Sequence, residues 1–175
     1  MSDGTTDTSE VRVAQWGEIY VAPVGTTLPT NATSEPGGAF DLVGGVSEDG
    51  VKRTPSRDVS DVKDWRGDSV RDLQTGAKVD FSFTMLESNE TVKDLLDLVE
   101  GTGWTGSQLP LHAWIIDWHD EDEVTRYCIE KARITSEDAV DHSAKDVVKY
   151  GVTISPKKGA SGKYFMPYYG TDGVS

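Results

Sequence analysis

Apolar and polar positions alternate most strictly over residues 77–86 (AKVDFSFTML). Val79, Phe81, Phe83 and Met85 fall on one side, and Lys78, Asp80, Ser82 and Thr84 on the other. A period of two predicts a strand with one packed and one wet face. Directly afterwards the period lengthens. Over residues 89–100, Val92, Leu95, Leu96 and Val99 recur at helical spacing, Ser88 stands where an N-cap is needed, and Glu90 lies in the first turn, where the helix dipole favours an anion. Gly101 and Gly103 are expected to stop this helix. Further strands are predicted over 17–24, over 40–43 and 46–52 around Gly44 and Gly45, and over 145–155, where Val148, Tyr150, Val152 and Ile154 share a face. Residues 111–118 and 124–134 flank the acidic run 120–123 and predict a hairpin. Seven or eight strands and one helix point to a mostly β fold: a β-sandwich or partial barrel with the helix packed on it and a long inter-strand arm.

A chain of 175 residues fits one domain. The reading divides it into a flexible N-terminal arm (1–15), a β domain (16–156) and a C-terminal segment (157–175). The last mixes Lys157, Lys158 and Lys163 with Tyr164, Phe165, Tyr168 and Tyr169, as an arm or a final edge strand. Residues 53–72 stand apart. They carry Arg53, Arg57, Lys63, Arg66 and Arg71 against Asp58, Asp61, Asp64, Asp68 and Asp72, with few large apolar residues. Such a stretch is too polar for a core and longer than a hairpin loop, so it is expected to be a long charged loop with a function. Trp65, near its middle, needs something to pack on: its own domain or another molecule.

Charge and chemistry narrow the function. The net charge of -13 repels phosphate and argues against a DNA reader with a basic face. No apolar run approaches the ~18 residues of a membrane helix, and the acidic start, residues 1–10, lacks the features of a signal peptide. Cys128, the one cysteine, sits in a strand-like apolar stretch and is expected to be a buried, inert thiol. The Gly101–Gly106 run matches G-x-G-x-x-G but follows a helix instead of opening one, and residues 159–163 lack the spacing and hydroxyl of a phosphate loop. His112, His119 and His142 form no metal motif, and no nucleophile elbow is present. No catalytic residue, cofactor or metal ion is expected.

In order along the chain come GEIYVAPVGTTLPT, FDLVGGVSEDGV, the charged segment with Asp64-Trp65-Arg66-Gly67, AKVDFSFTMLESN running into ETVKDLLDLVE, the late hairpin and KDVVKYGVTIS. This ordered set, from Trp16 to Pro156, resembles the major tail tube proteins of long-tailed, siphovirus-type phages. The resemblance implies a structural subunit of the virion tail, made in the host cytoplasm. By the same resemblance it would form homo-oligomeric rings, hexamers in this family's manner, that stack into a tube and meet tape measure, tail tip and terminator proteins. DNA would pass through the lumen without specific binding. Asp80, Ser82, Thr84, Lys149 and Thr153 are the candidate lumen-facing residues, and Arg53, Arg57, Asp58, Asp61, Lys63, Asp64, Trp65, Arg66, Asp68 and Arg71 the candidate inter-ring contact arm. The alternatives are another virion β-module, such as a tail terminator or head decoration protein, and a carbohydrate-binding module.

Overall fold

The computed structural model describes residues 12–171. Eight strands and one helix follow in the order β1 (Trp16–Pro23), β2 (Asp41–Leu42), β3 (Lys52–Lys63), β4 (Ser69–Met85), α1 (Glu90–Leu95), β5 (His112–Asp120), β6 (Glu123–Glu137), β7 (Tyr150–Pro156) and β8 (Met166–Thr171). The mostly β class read from the sequence holds. All eight strands belong to one open antiparallel sheet of order β2-β1-β5-β6-β7-β4-β3, with β8 paired to the first half of β6.

The two sides of the sheet are tied by the chain between β2 and β3. Val43 N–H donates to the Ile19 carbonyl on β1. Two residues on, Gly45 accepts from Leu86 and Ser47 N–H donates to Thr84, so the same segment pairs with the end of β4. Gly44, at φ 103, makes the change of direction between the two pairings. The sheet therefore wraps around one apolar interior. Ile19 and Val21 of β1, Phe81, Phe83 and Met85 of β4, Trp114 and Ile116 of β5, and Val152 and Ile154 of β7 all point into it. The period-two reading of β4 is thus met residue for residue.

β5 does not alternate because both of its faces are covered. Trp114 and Ile116 face the interior, while Ala113 and Ile115 join Ala22, Phe40 and Cys128 in a smaller cluster on the outer face. The loop 24–40 lies over that cluster, held by a buried ion pair. Arg126 on β6 stands opposite Asp117 on β5 and grips it with two bonds, Nε to Oδ1 at 2.8 Å and Nη2 to Oδ2 at 2.6 Å. Its Nη1 donates to the carbonyls of Ser34 at 2.6 Å and Asn31 at 3.3 Å. Each charge has its counter-charge, and the guanidinium's spare donors close the loop onto the sheet.

Several elements differ from their sequence reading. Residues 53–72, expected as a loop, are mostly strand. β3 and the first half of β4 form a hairpin from Lys52↔Ser82 to Lys63↔Ser69, closed by a short turn. Every residue of β3 is exposed, so no burial pattern marks it as a strand. The helix stops at Leu95 instead of reaching residue 100. Asp97 takes the left-handed conformation (φ 57), and Leu98 N–H donates back to Lys93 at 2.8 Å. This is a Schellman ending made by an aspartate where glycine is usual, and it leaves Val99 exposed. Asn89, not Ser88, caps the start: its Oδ1 accepts from Val92 N–H at 2.9 Å and its Nδ2 donates to the Val43 carbonyl at 3.0 Å.

The terminal segments lie against the body where they are described. Residues 13–15 run beside β5, with Gln15 N–H donating to His119 and Val13 N–H to Asp120; residues 1–11 lie outside the described part. Of the two readings of the C-terminal segment, arm or final edge strand, residues 166–171 take the second. Glu130 accepts from Ala160 N–H at 2.6 Å, Phe165 packs edge-on against Phe81 at 5.6 Å, and β8 completes the edge beside β6.

Two outcomes follow. Asp117→Ala leaves a buried, unpaired guanidinium and should destabilise the domain by about 3–5 kcal/mol, measured by urea unfolding. Burial pushes the Cys128 thiol up to about 12, so a thiol-specific reagent at pH 8 should label the folded protein far more slowly than the protein in urea.

Candidate functional site

Two surfaces carry the residues singled out from the sequence. The first is the hairpin of β3 and β4. β4 pairs with β7 only from Phe81 onward, so the rest of the hairpin has no further strand beside it. At the usual rise its strands extend roughly 35 Å from the body. Its root is fixed by Arg53, whose guanidinium lies 5.8 Å over the Phe165 ring, and by Tyr164, whose hydroxyl donates to the Ala77 carbonyl at 2.6 Å.

The tip is built by local hydrogen bonds. Asp64 N–H donates to Asp68 at 2.9 Å, and the Asp64 carboxylate accepts from the N–H groups of Arg66 at 2.8 Å and Asp68 at 3.0 Å. Gly67 takes φ 86, a conformation that suits glycine. Ser69 Oγ donates to Asp61 at 2.5 Å and braces the last pair of the ribbon. This frame holds Trp65 outward at 105% relative exposure, with nothing of its own chain over it. Val59, Val62, Val70 and Leu73 are exposed along the same ribbon. Arg57, Asp58, Asp61, Lys63, Arg66, Asp68 and Arg71 are exposed too. Of the ten arm residues, Arg53 alone touches the body through its side-chain charge, and the other nine belong to the free ribbon or its tip.

The second surface is the outer face of β4 and β7. Asp80, Ser82 and Thr153 are brought together there. Ser82 and Thr153 hydroxyls lie 2.9 Å apart, Ser155 donates to Asp80 at 2.5 Å, and Lys78 pairs with Asp80 at 2.8 Å. Burial acts to raise the Asp80 pKa, but the bonds from Lys78 and Ser155 outweigh it and hold the carboxyl below its ordinary value. Thr84 shares this face by register, opposite Gly151. Lys149 lies exposed just before β7. Sequence reasoning missed Ser155 and Thr135, whose hydroxyls meet at 3.0 Å and extend the polar row onto β6. Their parity with Thr153 on β7 was the available signal for Ser155.

The residues tested for other chemistry stay apart. His119 stacks on Trp16 with ring centroids 3.6 Å apart, and His112 sits half-buried near Trp114 at the other end of β5. Among the described residues no group of His, Cys, Asp and Glu is placed to hold a metal ion, and no helix is long and apolar enough to cross a membrane.

The ribbon with its uncovered tryptophan thus projects from an open antiparallel sheet. The family model for phage tail tube proteins matches residues 4–172, and the chain belongs to that family. It is a structural protein of the phage tail, not an enzyme. No curated protein sequence matches it. Among solved structures it is similar to a chain of the sheath/tube terminator of an extracellular contractile injection system in its extended state. That likeness has 13% identity and a TM-score of 0.49, covering 90% of this chain and 97% of the other. A chain of the sheath-tube complex of such a system is similar at 12% identity and a TM-score of 0.47, covering 93% and 98%. An Hcp protein is similar at 14% identity and a TM-score of 0.37, covering 86% and 97%.

Because Trp65 touches nothing in its own chain, Trp65→Ala should leave monomer stability within about 0.5 kcal/mol of the parent, checked by urea unfolding of dilute protein.

Proposed function

We propose that this chain is the repeating subunit of a siphovirus-type tail tube. Copies close into rings of six, the rings stack, and DNA passes through the bore on its way into the host cell. The observation that carries this reading is the free ribbon ending in Trp65. An isolated two-stranded ribbon is marginally stable in water, and a fully uncovered indole is the kind of group that anchors protein interfaces. A neighbour that receives the ribbon satisfies both. The mixed charges along it set its register on that neighbour and contribute more to specificity than to affinity.

The number six comes from the family resemblance, as do the contacts with tape measure, tail tip and terminator proteins and assembly in the host cytoplasm. Electrostatics supports the conduit. Six copies at -13 each carry -78 per ring, and at a screening length of about 8 Å this repels DNA only where it nears the wall. The outer face bearing Asp80, Ser82, Thr84 and Thr153, with Lys149 beside it, is our assignment for the bore: short, hydrogen-bonded polar groups with little to grip a sliding duplex.

Purified protein at high concentration, with or without a tail-tip initiator, should form rings or tubes in negative-stain micrographs. A species that stays monomeric throughout overturns the reading. Asp80→Lys should leave tubes intact and slow DNA delivery, and unchanged infectivity of such virions would remove Asp80 from the bore.

A further inference from the structure

Strand directions give the body two distinct ends. β1, β4 and β6 run the same way, because each is separated from the next by strands that pair antiparallel. Trp16, the turn between β5 and β6, and the ribbon therefore belong to one end. Helix α1, the loop after it and the last residues of β6 belong to the other. When copies stack in one orientation, a ribbon leaving one body arrives at the helix end of the next.

That end holds a shallow cavity of about 360 Å³, lined by Trp104, Gly106, Leu109, Arg133, Thr135 and Glu137. Trp104 is 67% exposed, and its ring lies over Gly106, where even a methyl group would crowd it. Arg133 brings a guanidinium whose Nε is buried without a hydrogen-bond partner. A donor in that state is costly, and Arg133 lines the cavity, where a carboxylate from a partner can meet its charge. The cavity thus offers an aromatic platform, a cation and, in Glu137, an anion at its side. The ribbon tip offers the complement in a small space: an indole at Trp65, carboxylates at Asp64 and Asp68, and a cation at Arg66. A larger cavity of about 530 Å³, between Trp16, Trp118, Tyr127 and Arg53, lies toward the end from which the ribbon leaves. The ribbon of a like-oriented neighbour does not approach from that side.

We propose that the cavity beside Trp104 and Arg133 is the seat for the Trp65 tip of a second copy in the adjoining ring. This rests on the tube reading and adds the receptor to it. The Trp65 indole packs on Trp104 and Leu109, a tip carboxylate meets Arg133, and Arg66 faces Glu137.

The test uses the full chain and reads the critical concentration for tube formation by sedimentation, with circular dichroism confirming each fold. Trp65→Ala and Trp104→Ala should each raise it roughly tenfold, and the double variant should be little worse than either single, since both remove one contact. Arg66→Glu should impair assembly and Glu137→Arg should restore it. Should Trp104→Ala fail to fold, this charge exchange between two exposed side chains decides. Cross-linking gives a separate readout because Cys128 is buried: Arg66→Cys with Glu137→Cys should yield disulfide-linked ladders on oxidation. If Trp65→Ala blocks assembly while Trp104→Ala and the charge exchange leave it unchanged, the tip lands elsewhere and the seat is overturned while the tube stands. If the parent protein never assembles, both fall.

Discussion

The architecture depends on seven residues of backbone. Between Asp41 and Ser47 the chain pairs first with β1 and then with the end of β4. Without that double pairing the sheet would remain a flat ribbon with two long open borders and an interior in water. With it, the strands curl around Trp114, Phe81 and Ile154. It also fixes where the ribbon starts, because Lys52 joins β4 a few residues beyond the closure, opposite Ser82. Enclosing the core and projecting the ribbon are thus two results of one path along the edge of β4. Asn89 links the helix to the same segment through the Val43 carbonyl, so the helix, the closure and the ribbon share a foundation.

The opposite face of the sheet is held in another way. Few large side chains cover it, and the smaller cluster around Ile115 and Cys128 would secure the loop 24–40 only weakly. The buried Asp117–Arg126 pair supplies the missing constraint. Its value is geometric more than energetic, since replacing a buried pair with apolar residues is often neutral. A guanidinium already committed to Asp117 can donate to the Ser34 and Asn31 carbonyls in one arrangement only, and the loop has one way to lie.

Hydrophobic periodicity reports burial, and the chain was legible where burial alternates. β4 from Val79 to Met85 is the clearest case. Residues 53–63 gave no such signal, because a ribbon exposed on both faces has no inside to encode. The end of α1 was hidden for a different reason: glycine is the usual mark of a left-handed cap, and Asp97 fills that place. β5 buries both faces and so does not alternate, yet the acidic run that follows it marked it as one arm of a hairpin. The Asp117–Arg126 pair was within reach of sequence, since both residues lie three positions from the ends of the turn that pairs Asp120 with Glu123. The Ser82–Thr153 contact was not, because 71 residues separate its members and only the sheet order brings them together. Trp65 was legible as an oddity, and the fold supplies its full exposure.

Pro55 lies within β3, on the border of the sheet, opposite Val79. A bare strand border is a template on which any extended peptide can zip, and unspecific stacking of that kind is how β proteins precipitate. An imino acid withholds one amide proton from that border, and the flanking Arg53, Arg57 and Asp58 add charge that a promiscuous strand would have to match. Free copies of this chain are therefore guarded against indiscriminate clumping by the same polar composition that disguised the segment as a loop.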